Sequence, residues 1–555
     1  MASLLPKTGP LGRRLAAHLL RRASFGPTPE EINDFATKTA QQAVQDLLTF
    51  PATPPDPPID PQTGATWVVT GRTQANSPQS DLQFILISWW LHQIMDPAKP
   101  VSAFQKMVFF LHTCINTSRK KVSFSEDMYY TLRLFMHYAP LSYRDLCYKM
   151  CMDNGMNEFL DISDSFAGNP NENYAREFIE LHTIGRGPLA GPDDYTTYTE
   201  QDIREAARLI TGFRKNNSWS DPLYIDPETG FPQCRLDVSR HDITDKIFSP
   251  AFQDTIIIGR NTVQGMRDEL TEFVDMIFAQ DATARNIVRK MYRFYVKYNI
   301  SAEAEQDIIV PLATTLKNNG YQLVPVLSTL LSSQHFYDED DADTTDETVG
   351  SLIKSPLDLA INIARFLKVP VPDPAVDPFM TYVTFYRWGI QRNVEKAFME
   401  VFAAPETAGY PAVFQAPVYN RLWFHQMAVP PRYQMVDTHL TGAAHLLADV
   451  MAFVNNPAII PPFNGPDAMG NAGPHAGGRV PEHLVQTLID YLFPEPIPQA
   501  RFDYFLNDVL LDNLTTVNWA MEWIQYQSSG SDAAVKPQIT KLIRALLQSP
   551  EFQLA

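Results

Sequence analysis

Residues 169–185 read Asn-Pro-Asn-Glu-Asn-Tyr-Ala-Arg-Glu-Phe-Ile-Glu-Leu-His-Thr-Ile-Gly. Asn169 before Pro170 is a helix start: a side chain able to accept from the first turn, then a residue whose missing N–H is not needed there. Glu172, three residues after Asn169, completes a capping box. Gly185 is placed to end the helix in a left-handed turn. Tyr174, Phe178 and Leu181 recur at helical spacing and form one apolar stripe. The segment predicts an amphipathic helix over about 170–183.

The same grammar extends in both directions. Thr199-Glu-Gln-Asp202 opens a second helix with a capping box, and Thr211-Gly212 closes it at about 211. Towards the N-terminus, residues 13–50 read as two helices, the second started by Thr28-Pro29-Glu30-Glu31. Six prolines within 51–64 mark a loop or arm, and residues 82–146 are long apolar helical stretches. Residues 213–260 change character, with frequent Pro, Gly, Asp and Asn and short alternating pieces such as Leu223–Ile225 and Thr255–Ile258 that suit small strands. Helical spacing resumes at 266–334, 351–368, 433–455 and 482–548. Nothing alternates strand with helix and no glycine-rich phosphate loop occurs. The fold class expected is therefore mainly α: a large multi-helix, bundle-like body with a small irregular or short-strand insertion around 213–260. Tyr337–Thr348, a run of Asp, Glu and Thr, reads as a solvated acidic linker dividing an N-terminal helical region, 1–336, from a C-terminal one, 349–555. It lacks the glycine and bidentate Glu of a calcium loop.

The chain of 555 residues has 45% hydrophobic and 19% charged residues, enough to bury a large core without disulfides or metals. A formal charge of −18 disfavours nucleic acid and anionic membranes as partners, because both need a basic face. No stretch reaches the ~18 apolar residues of a membrane span. Arg13-Arg14 is succeeded by His18 and Arg21-Arg22 where a signal peptide would need an apolar run, so the expectation is a soluble chain that is cytoplasmic by default. The four cysteines, 114, 147, 151 and 234, imply no disulfide framework and read as small buried hydrophobes.

Three groups of residues carry chemistry. Along the 170–183 helix, Glu172, Arg176 and Glu180 are spaced by four, while Glu177 and Glu180 are three apart and can converge, with His182 just beyond. These side chains could ligate a metal or move protons. They could equally tie the helix together, Arg176 bridging two carboxylates. The pattern is not a known zinc signature. His241-Asp242, with Lys246 four later, is a His oriented by a carboxylate, an arrangement suited to a general base or a metal's outer shell. His112 and Cys114, after the apolar run 107–111, could bind a soft metal. Arg204 and Arg208 could hold an anionic substrate or neutralise Glu200 and Glu205.

These segments together resemble one family. Ala17–Gly26, reading AHLLRRASFG, is similar to the opening of the domain of unknown function 1800. Asn169–Gly185 looks like its central signature, Tyr198–Phe213 like the segment after it, His241-Asp242 with Lys246 like its His-Asp and Lys motif, and Lys354-Ser-Pro356 like its mid-chain motif. Pro411–Phe414, Pro430–Gln434 and Ser549–Gln553 resemble the C-terminal pattern of a subgroup. The resemblance spans nearly the whole chain. It implies a partner, a sulfatase-like protein of the domain of unknown function 1501 family, and it implies no reaction. Family members often carry an export signal, and often a second His where this chain has Cys114.

Two functions compete on these residues. In one, the chain is a metal-dependent enzyme holding a divalent metal of unassigned identity. Its ligands would come from His112, Cys114, Glu177, Glu180, His182 and His241, with Arg176 and Asp242 completing the catalytic set. In the other, it is a non-catalytic scaffold or partner protein, and the same residues are salt-bridge and capping networks. The first expects His182 and His241 to meet the carboxylates of Glu177 and Glu180 in one largely buried pocket. The second has no need of such a meeting.

Overall fold

The computed structural model describes residues 2–68, 77–191, 194–215, 223–342 and 347–555. Helices dominate, and the fold is mainly α. Their starts obey the expected chemistry. Thr28 caps Pro29–Ala36 by accepting from Glu31 N, while the Glu31 carboxylate accepts from Thr28 N. Thr39 and Gln42 do the same for Ala40–Leu47, so the N-terminal region holds three helices, with Gly12–Ala23, where the sequence suggests two. The junction at residues 37–39 is too short to read as a break by periodicity alone. Gln79–Met95, Phe104–Cys114 and Ser125–Tyr138 bury Trp89, Trp90, Phe109 and Phe110 at the centre of a contiguous apolar core.

Among its described residues the insertion at 213–260 carries three antiparallel pairs of two-residue strands: Phe213–Arg214 with Arg235–Leu236, Tyr224–Ile225 with Pro232–Gln233, and Lys246–Ile247 with Ile256–Ile257. Residues 216–222 of this insertion lie outside the described residues. One further pair, Ile59–Asp60 with Ala65–Thr66, forms within and just beyond the proline-rich stretch expected to be a loop or arm. Its turn is closed by Thr63 N and Gly64 N donating to Asp60 O, and Gln62 N donates to the Asp60 carboxylate.

The chain is stitched across the acidic run. Arg365 donates to Gly26 O and to Glu31, both at 2.6 Å. Arg21 on the first helix donates to Tyr491 O on Pro481–Leu492. The described ends of the run are held, while Glu339, Asp341 and Ala342 are exposed. Tyr337 and Thr348 are buried, and the two Asp338 oxygens accept from Thr348 N and Val349 N at 2.7 and 2.8 Å. Asp340 meets His335 at 2.7 Å. The physical reason is that Asp338 adopts a left-handed conformation, φ 55°, that turns its carboxylate back onto the returning stretch of chain. Residues 343–346 lie outside the described residues. Among the described residues no helix is long and apolar enough to cross a membrane.

Candidate functional site

The signature helix begins later than the Asn169-Pro170 dipeptide suggests. It is Glu172–Glu177 and its cap is Asn171, whose side chain accepts from Asn173 N and donates to Asp161 O. Asn169 lies before it, paired with Phe166 in an isolated bridge. The helix then widens into a π-turn, Phe178–His182, in which Thr183 Oγ donates to Phe178 O at 2.7 Å. Gly185 ends the segment as expected, at φ 79°, with its N–H on Ile179 O.

His182 lies two residues beyond Glu180, roughly 200° round an ideal helix, so its side chain faces away from that carboxylate. Glu180 is buried on one side and saturated by protein donors. Its Oε2 accepts from Arg186 Nε at 2.8 Å and Nη2 at 2.5 Å, and its Oε1 from the Tyr198 hydroxyl at 2.6 Å, with Arg176 at 3.3 Å. Arg176 also clamps Glu200 through two parallel bonds of 2.7 and 2.8 Å and reaches Glu172 at 3.3 Å. His182 lies on the other side. Its ring is buried beside Tyr174 and Phe178, its Nδ1 has no partner among the described residues, and burial together with Lys290 pushes it down to about 3. It is a neutral core histidine. Glu177 is half-buried, and burial and then the neighbouring Glu180 push its carboxyl up to about 7.

His241 shares no hydrogen bond or ion pair with this group among the described residues. Its Nδ1 faces Thr211 O at 2.9 Å and its Nε2 both oxygens of Glu269 at 3.3 Å. Lys246 Nζ meets Glu269 Oε2 at 2.6 Å and Asp242 O at 2.5 Å, and Arg260 N donates to Glu269 Oε1 at 2.6 Å. The side chains of His241, Lys246 and Glu269 are all 0% exposed. Burial alone would raise the Glu269 carboxyl, but His241 and Lys246 outweigh it and hold it below the ordinary range. Asp242 does not orient His241. It turns to Arg208, 2.9 Å away; burial raises its carboxyl, but the Arg208 and Thr244 hydrogen bonds bring it down to about 2. Arg208 also pairs with Glu205, so of the two roles open to it, neutralisation is the one the geometry shows. Gly212, φ 84°, permits the chain to cross here: an added Cβ would lie 2.6 Å from Asp237 O.

His112 and Cys114 do not converge on either group. His112 Nε2 bonds Thr117 O at 3.1 Å, its ring packs against Phe402 and Phe135, and burial pushes it down to about 4. Cys114 is a buried free thiol pushed up to about 11 by burial. All four cysteines are free and buried, as small hydrophobes. Among the described residues no three His, Cys, Asp or Glu side chains converge as a metal site would require. His182 and His241 thus share no hydrogen bond or ion pair with Glu177 or Glu180, and the candidate residues fall in three separate hydrogen-bond networks.

Sequence reasoning missed Glu269, Arg186 and Tyr198. For Glu269 a signal existed. Within Val263–Phe278 the buried stripe is Met266, Leu270, Phe273, Val274 and Ile277, and Glu269 falls three after the first and four before Phe273. A carboxylate on an apolar stripe demands a buried cation. Arg186 and Tyr198 lie in the loop beyond Gly185, where no spacing rule reaches.

With these clusters in place, the comparison with known families is decisive for class. The chain belongs to the family described as Protein of unknown function (DUF1800), whose sequence model matches residues 18–554. No match was found among curated proteins, and none among solved structures.

Proposed function

We propose that this protein is a scaffold or partner protein, and that its signature residues are charge networks that fix the body of the molecule. The observation carrying this reading is saturation. Both oxygens of Glu180 and of Glu269 are taken by cations, hydroxyls or backbone N–H groups of the same chain. A carboxylate used this way has little capacity left to face a ligand. The partner we propose to test is the sulfatase-like protein of the domain of unknown function 1501 family that the resemblance implies. Elemental analysis of protein purified from metal-supplemented cultures is expected to give well under one ion per chain, with a Tm unmoved by a chelator. A stoichiometric ion that is lost in Glu180→Gln would overturn the reading.

Glu177 favours a second reading, acid–base chemistry at the signature helix. It accepts no hydrogen bond from a described residue, and its carboxyl is poised near neutrality. The pH dependence separates the two. A carboxyl raised in the folded state stabilises fully below its unfolded pKa, near 4.5, and this contribution is lost as pH rises through about 7. Glu177→Gln is therefore expected to match the native chain near pH 4 and to melt higher than it at pH 8. Equal melting temperatures across that range would show that Glu177 is solvated, and with it would go the argument for a tuned acid.

A further inference from the structure

Several segments that resemble the family converge on a place to which no role has been given. Arg21 and Arg22 from the first helix, Lys354 and Ser355 from the Lys-Ser-Pro segment, and Ala412 and Val413 from the Pro-Ala-Val-Phe segment line one cavity of about 80 Å³. Arg293, Tyr298, Tyr419 and Asn420 stand on its walls too. A water needs roughly 10–15 Å³ by the same measure, so the space suits a small polyatomic group.

The lining is cationic in a chain whose formal charge is −18. Asp358, the one carboxylate side chain in the lining, is already engaged by Lys106 and by the Ser355 hydroxyl, and Ala555, which carries the terminal carboxylate of the sequence, lines the cavity too. Arg21, Arg22 and Lys354 are buried, and Arg293 is half-buried. The guanidinium groups are only partly satisfied. Arg21 donates through Nη2 to Tyr491 O, and Arg22 through Nη2 to Thr348 O and Ser351. Arg21 Nη1, Arg22 Nε and Nη1, Arg293 Nε and both side-chain polar atoms of Asn420 have no partner among the described residues. Lys354 reaches Phe552 O at 2.6 Å, over the Phe552 ring, and a further guanidinium, Arg432, stands behind it on Lys354 O at 2.9 Å. Burial pushes Arg22 down to about 9, an effect that Asp338 and Asp358 only partly offset, and it pushes Arg21 down to about 10.

Leaving guanidinium N–H groups buried and unpaired is unfavourable, and a structural role does not explain so many of them gathered around one space. Guanidinium forks match the oxygens of phosphate and sulfate, and a lining in which cations outnumber carboxylates favours two negative charges over one. We propose that this cavity binds a small doubly charged oxyanion, a phosphate or a sulfate, either free or as the end group of a larger molecule. Tyr298 and Tyr419, with ring centroids 6.1 Å apart and both partly exposed, would flank the remainder of an esterified ligand.

The test uses the full chain in chloride buffer, titrated with inorganic phosphate, inorganic sulfate, phenyl phosphate and acetate at matched ionic strength. Binding is monitored by titration calorimetry and Tm. Phosphate or sulfate is expected to bind saturably and to raise Tm by roughly 3 °C at a hundredfold excess over Kd. Arg293→Gln, at the partly exposed wall, is expected to keep the native circular dichroism spectrum and lose at least tenfold in affinity, with Arg22→Gln losing more if it folds. Tighter binding of phenyl phosphate than of inorganic phosphate identifies an ester as the source; the reverse identifies the free ion. No saturable binding of phosphate or sulfate, binding of acetate equal to theirs, or affinity unchanged in Arg293→Gln would each overturn the proposal.

Discussion

Glu269→Ala is expected to destabilise the folded protein by about 3–5 kcal/mol, the range for breaking a buried ion pair from one side. The variant leaves Lys246 and His241 in a closed site with no counter-charge, since the three side chains are 0% exposed. It also orphans Arg260 N, which donates to Glu269 at 2.6 Å. The midpoint of urea unfolding reads the effect, provided the slope is unchanged. Replacing Lys246 and Glu269 together by methionine is expected to recover much of the loss, because a buried pair can be exchanged for apolar volume at little cost. A loss below about 1 kcal/mol in the single variant would mean that water enters the site.

Glu180→Ala is the second large effect and is expected to be smaller, about 1–3 kcal/mol. The reason is what each partner can do once the carboxylate is gone. The Arg186 and Arg176 side chains are 57% and 33% exposed and can hydrate. The Tyr198 hydroxyl is buried and cannot. The order Glu269→Ala worse than Glu180→Ala is thus a direct consequence of burial, and differential scanning calorimetry of the two variants checks it. A reversed order would show that the Glu180 cluster holds more than the two arginines and the tyrosine.

These sites also show where sequence reading reaches and where it ends. Caps are legible because they are local: Thr28 with Glu31, and Gly185 at φ 79°, are dictated by residue types at fixed offsets. The helical class and the family are legible in the same way. Asn169 misleads because two asparagines flank Pro170 and both can cap; the choice of Asn171 is settled by Asp161, ten residues back, whose carbonyl takes its side-chain amide. His182 misleads because nearness in sequence to Glu180 is not nearness in space: two residues along a helix turn a side chain roughly 200° away. A π-helical stretch, Phe379–Gln391, falls where no helix is expected from periodicity. Partners from distant parts of the chain are a different matter. Glu269 announces only that it needs a cation, and that His241 and Lys246 supply it is written in the packing of the insertion against Val263–Phe278.

The bond from Arg21 to Tyr491 joins residues 470 apart in the chain. A ribosome adds about 5–20 residues per second, so the first helix emerges roughly 20–100 s before the helix that covers it exists. During that interval the first helix can already pack on Pro29–Ala36, which follows it directly in the chain, while its contact with Pro481–Leu492 has to wait. Part of the surface of the first helix is therefore covered only near the end of synthesis.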